Sequence, residues 1–114
     1  MAKYEKQGRG SYSQILADLH KTITGNSISA KLENQSSFTV GDVRIAFRVY
    51  ERYSFIGGNR LSLSFTLVGS RSNNEVRLSV ITAGGSQAIF FKLNRFGENS
   101  FINTIKPVVD KLIT

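Results

Sequence analysis

Between residues 43 and 80 the apolar residues recur at every second position, first as Val43, Ile45, Phe47 and Val49, then as Leu61, Leu63, Phe65 and Leu67, then as Val76, Leu78 and Val80. A period of two belongs to half-buried strands, because successive side chains of an extended chain point to opposite faces. Turn signals separate the runs: Val40-Gly41-Asp42, Gly57-Gly58-Asn59, Ser72-Asn73-Asn74 and Gly84-Gly85-Ser86. Links this short leave no room for a crossover, so neighbouring strands must run antiparallel as a meander. Ile28, Ala30 and Leu32 make a shorter strand ahead of these. A last strand is expected over Gln87 to Leu93, apolar on both sides at Ile89, Phe90, Phe91 and Leu93. Lys3 to Gln7 adds a weakly patterned edge strand.

The period changes to that of a helix at both ends. Ser11-Tyr12-Ser13-Gln14 has the form of a capping box, and Tyr12, Ile15, Leu16, Leu19 and Ile23 follow at three- and four-residue spacing. This predicts a helix from about Ser11 to Thr24, stopped by a left-handed Gly25. Phe101, Ile102, Ile105, Val108, Val109 and Leu112 repeat the pattern behind the plausible caps Asn99 and Ser100. Pro107 lies inside that second helix, where a kink or break near Asn103 to Lys106 is expected.

A helix, four or five antiparallel strands and a helix make a two-layer α+β sandwich, since both apolar helix stripes must be buried on one sheet face. With 114 residues the chain makes one domain, 1–114. The element order resembles that of helix-grip proteins and of the TATA-box-binding-protein type of half-domain, a resemblance that carries no residue-level function. Arg48-Val49-Tyr50-Glu51-Arg52-Tyr53 with Gly57-Gly58-Asn59-Arg60, and Thr82-Ala83-Gly84-Gly85-Ser86-Gln87-Ala88, resemble a bacterial family of small uncharacterised proteins, a domain of unknown function. That resemblance covers most of the chain and implies no activity.

Fifteen Lys and Arg against eight Asp and Glu give a net charge of +7. An excess of this size makes a polyanionic partner worth seeking. The charges are dispersed, with no run of five or six, so any basic patch must be made by folding. If Val43, Ile45, Phe47 and Val49 point inward, Arg44, Ala46, Arg48, Tyr50 and Arg52 point outward, joined by Arg60 and Arg77 from the next two strands and by Lys31 from the first. The expected face is basic, with one aromatic at Tyr50, small hydroxyls and few carboxylates. Arginine forks suit phosphates and carboxylates, so Arg44, Arg48, Tyr50, Arg52, Arg60 and Arg77 form the candidate anion-binding face, for nucleic acid or an acidic protein. The bland alternative is an ordinary solvated strand surface that discourages edge-to-edge pairing.

Other chemistry finds little support. There is no cysteine, a single histidine, no P-loop or dinucleotide fingerprint around the glycine turns, and no nucleophile elbow. His20 flanks the first helix stripe, where a structural role is commoner than a catalytic one, and the carboxylates are scattered singly. No cofactor or metal is implied. No secretory h-region and no run of 18 apolar residues occurs, so a cytoplasmic protein is expected. The leading expectation is a non-enzymatic binding module for an anionic partner. One alternative is a helix-grip pocket for a small apolar or amphipathic ligand, lined by Phe47, Phe65, Phe90, Phe91 and Phe101. Another is a homodimer or protein-interaction module whose polar sheet face packs on a partner, with Val68 and Ile81 as small anchors.

Overall fold

A computed structural model describes residues 1–25, 28–53, 60–84 and 101–114. The element order is β1 (Ala2–Arg9), α1 (Tyr12–Thr24), β2 (Lys31–Val40), β3 (Val43–Tyr53), β4 (Arg60–Ser70), β5 (Glu75–Gly84) and a C-terminal helix, α2, over 101–112. The strands form one sheet in the order β1-β5-β4-β3-β2, antiparallel throughout. This is the α+β meander that the alternation predicts. The weakly patterned N-terminal segment is the fifth strand: it closes the sheet against β5, with Tyr4 opposite Val80 and Gly8 opposite Val76. The strand expected over Gln87 to Leu93 lies outside the described residues, as do Asn99, Ser100 and the Gly57-Gly58-Asn59 turn.

Both helices bury their stripes on the same face of the sheet. Ile15, Leu19 and Ile23 of α1, and Phe101, Ile105, Val109 and Ile113 at α2, meet Tyr50, Leu63, Phe65, Leu67, Val76, Leu78 and Val80 in one buried cluster. Contacts place α2 over β1: the Tyr4 hydroxyl donates to Asp110 Oδ1 at 2.7 Å, the Lys106 ammonium lies 5.8 Å from the Tyr4 ring, and Thr114 N–H donates to Arg9 O at 2.9 Å. The other helix, α1, lies over β3 and β4. Its start is capped by Ser11, with Gln14 N–H donating to Ser11 Oγ at 3.2 Å, but the Gln14 side chain donates to Asp18 Oδ1 at 3.0 Å and does not close the capping box.

Two local expectations are corrected. Gly25 ends α1 in extended backbone, φ −74° and ψ 177°, and the left-handed residue comes later, at Ser29 with φ 55°. The chain leaves the helix by another route, with Ser29 N–H donating to Gly25 O at 2.6 Å and Ala30 N–H to Ile23 O at 3.0 Å. Nor does Pro107 break α2, which is helical throughout 101–112. The carbonyl that proline leaves without its helical donor is that of Asn103, four residues earlier, itself an exposed residue.

Gly41 and Asp42 join β2 to β3 in a two-residue turn. Gly41 takes φ +57° and no positive φ occurs at Asp42, the φ pattern of a type II′ hairpin turn with glycine in its first central place. Asp42 ties this turn to the next one. Its Oδ2 accepts from Ser72 Oγ at 2.6 Å, Ser70 Oγ at 2.9 Å and Ser72 N–H at 3.3 Å, and these bonds hold its carboxyl below the ordinary range.

Candidate functional site

Register decides which face each strand residue occupies, and in β3 it reverses the expectation. Tyr50 pairs with Leu63 and Ala46 with Leu67, and directly opposed residues share a face. Both are fully buried under the helices. The set Arg44, Ala46, Arg48, Tyr50, Arg52 therefore faces the helix layer, while Val43, Ile45, Phe47 and Val49 lie on the uncovered face, where Phe47 is 40% exposed. Arg60 and Arg77 remain on that open face, opposite Tyr53 and Val68. The six candidate residues thus do not form one surface. Four stand on the helix side and two on the other, because both alternating sets of β3 contain apolar residues and the pairing with β4 selects between them.

Residues 33–40 of β2 are exposed on both faces, so the helix layer leaves this stretch uncovered, and with the adjoining part of β3 it forms a shelf on the helix side. Arg44 and Arg48 stand on this shelf, both half-buried. The Arg44 guanidinium lies 4.3 Å from the centre of the Tyr12 ring, a cation–π contact at the first turn of α1. Tyr12 comes this close because β4 has glycine beneath it: a Cβ on Gly69 would sit 2.6 Å from Tyr12 Cδ2. Arg48 Nη1 donates to Ser37 Oγ at 3.0 Å, Phe47 O at 3.0 Å and Ser36 O at 3.1 Å. Burial pushes the Tyr12 phenol up, while Arg44 and Arg48 both pull it down, which locates Tyr12 within the field of the pair. The Arg44 Nε is buried and has no hydrogen-bond partner.

The ion pairs among the described residues lie elsewhere: Lys6 with Asp110 at 3.5 Å, Lys3 with Glu5 at 3.8 Å and Arg60 with Glu51 at 3.3 Å. Arg52 is exposed and lines a surface depression of about 290 Å³ with Ser29, Lys31, Glu33, Glu51, Tyr53 and Arg60. Arg77 borders a second depression of about 450 Å³, together with Arg9, Gln7, Glu75, Val43 and Val68. Each of these contains a carboxylate.

Tyr50 is part of the core. Its hydroxyl lies 2.9 Å from His20 Nδ1, so the one histidine supplies the partner that a buried phenol needs. Burial raises the Tyr50 phenol against the pull of Arg48. The phenylalanines of the pocket alternative are likewise divided: Phe65 and Phe101 are buried in the core, Phe47 lies on the opposite face, and Phe90 and Phe91 fall outside the described residues. No group of three metal-ligating side chains occurs among the described residues, and no described helix is long and apolar enough to cross a membrane.

A family of unknown function, DUF6054, matches residues 1–113 in sequence. This chain belongs to the DUF6054 family. No curated protein matches it. In this DUF6054 chain the shelf also uses residues that sequence reasoning passed over. Tyr12 reads as one more member of the α1 stripe, and Ser36 and Ser37 lie beyond the short strand expected at Ile28, Ala30 and Leu32, whereas β2 runs over Lys31–Val40. The available signal was Gly69, a glycine inside a strand, which marks a place where something approaches the backbone closely.

Proposed function

We propose that this chain is a binding module for an anionic partner, with Arg44 and Arg48 supplying the cationic groups on the shelf beside α1. The observation that carries the reading is a half-buried arginine pair with no carboxylate in ion-pair contact among the described residues, one of whose Nε atoms is buried without an acceptor. Arginine that is withdrawn from water is ordinarily paired, and a phosphate or carboxylate oxygen is the group that suits its fork. Tyr12 holds Arg44 in place, and Ser37 holds Arg48. The net charge of +7 adds long-range attraction for polyanions.

The test is a titration of the purified chain with a short single-stranded oligonucleotide, and separately with inorganic phosphate, over a salt series. Two phosphate contacts on a single strand give a slope of log affinity against log salt near −1.4, from roughly −0.7 per phosphate. Arg44→Gln and Arg48→Gln should each weaken binding about tenfold, and the double substitution should flatten the slope; one lost charged hydrogen bond is worth about 1.5–3 kcal/mol. Binding that survives the double substitution with its slope unchanged, or no binding of either anion at low salt, overturns the reading.

A further inference from the structure

The two edges of the sheet are protected unequally. Exposed strand edges are templates for pairing, and proteins guard them with charges, proline or short length. The edge strand β1 has four charged residues in eight, Lys3, Glu5, Lys6 and Arg9, and α2 packs along it. The opposite edge, β2, is ten residues long, has no proline, and carries no charge from Asn34 to Val40. Among the described residues it pairs with β3 alone, and eight successive residues, Glu33 to Val40, are exposed. In a chain of net charge +7, β2 contains one cation, Lys31, and one anion, Glu33.

The hairpin geometry fixes which backbone groups look outward. The two-residue turn makes Val40 and Val43 a hydrogen-bonded pair, and hydrogen-bonded and free pairs then alternate back along the strand. Ser37 and Thr39 therefore present their N–H and C=O groups to the free edge, and Gln35 its C=O, since the Gln35 N–H donates to Asn34 Oδ1 at 2.9 Å. The open face beside them is apolar, with Phe38 53% and Val40 62% exposed, next to Val43, Ile45 and Phe47.

We infer that β2 pairs antiparallel with the β2 of a second copy, joining two sheets into one across a two-fold axis near Ser36 or Ser37. Charge selects this occupant. Lys31 opens the strand and Asp42 follows its end, so antiparallel self-pairing sets the Lys31 end of each copy beside the Asp42 turn of the other, and the uncharged stretch meets itself. Such an isologous contact closes at two copies, as symmetric dimers do. Each protomer keeps its helix-side shelf, so this inference stands apart from the anion reading. Salt separates the two as well: screening weakens anion binding but relieves repulsion between two copies of charge +7, and so strengthens the dimer.

Sedimentation equilibrium of the full chain over a concentration series should show the mass rising from 12.6 kDa to twice that value, with tighter association at higher salt. The double substitution Ser36→Lys with Phe38→Lys places introduced ammonium groups opposite one another in either register and should return the chain to a monomer. In parallel, amide hydrogen exchange of the unmodified chain should show Ser37 and Thr39 protected at high concentration and unprotected at low. A monomer at every concentration and salt overturns the inference. So does a dimer that survives the double substitution, or one in which those two amides stay unprotected; the exchange measurement needs no variant and stands even if the double substitution impairs folding.

Discussion

The contact between Tyr12 and Gly69 does two things at once: it seats the first turn of α1 on β4, and it leaves the Tyr12 ring as a platform for Arg44. Gly69→Ala should push the ring off its seat. We expect a loss of about 1–3 kcal/mol in urea unfolding, the usual size of an overpacking cost, and a much smaller loss when Tyr12→Ala is already present. Equal losses in both backgrounds would mean that the backbone of β4, not Tyr12, requires the glycine. Titrating groups make a second prediction. The carboxyls of Asp42, bonded by Ser72 and Ser70, and of Asp110, bonded by the Tyr4 hydroxyl, are held below their ordinary value of 3.8. Their contribution to stability is full above that value and disappears as pH falls through the lower folded-state values. Tyr4 has the opposite sign. Burial and its bond to Asp110 push its phenol up to about 12, so its contribution is full below pH 10.0 and is lost as pH rises through about 12. Denaturant midpoints should fall at both extremes, and Tyr4→Phe should shrink the alkaline arm, the rest belonging to Tyr12 and Tyr50, whose phenols burial also raises; an unchanged alkaline arm would refute the Tyr4 assignment.

At the level of elements, Pro107 gives the sharpest test. Helix α2 runs on through it at an exposed position and forfeits one backbone bond, so Pro107→Ala should stabilise the chain by about 1–3 kcal/mol. A destabilised variant, read by thermal unfolding, would show that the ring itself is required. The elements also show what could be read from the residues alone. In β4 the contrast between Leu63, Phe65 and Leu67 and the intervening Ser62, Ser64 and Thr66 is unambiguous, and their faces followed directly. So did those of Val76, Leu78 and Val80. In β3 both sets pass as a core face: Val43, Ile45, Phe47 and Val49 look more apolar than Arg44, Ala46, Arg48 and Tyr50, yet the second set is inside. Arginine stems cover apolar surface while their heads reach its margin, and a buried tyrosine needs only one acceptor or donor, here His20. Periodicity tells which residues travel together. Which set is covered depends on register with the next strand, a long-range fact that local pattern does not contain, and the arginine face was divided for that reason.

For the molecule as a whole, the helices cover one face of the sheet and nothing among the described residues covers the other, so its two sides differ in kind. The covered side holds the core and, at the flank of α1, the arginine shelf. The open side is apolar toward β2 and mixed in charge toward β1, where Arg9, Glu75 and Arg77 meet. The arrangement of β1 also bears on how the chain is assembled over time. Ala2 is paired with Thr82, eighty positions away, so β1 leaves a ribosome before the other four described strands, and its neighbour β5 leaves after them. At about 5–20 residues per second, β1 waits roughly 4–16 seconds for β5 to emerge, longer than most isolated hairpins need to close. During that interval its alternating charges, Lys3, Glu5 and Lys6, keep an unpaired strand from seeking the wrong company. The N-terminal segment is thus a late clasp on a meander already formed, and its sequence is suited to waiting.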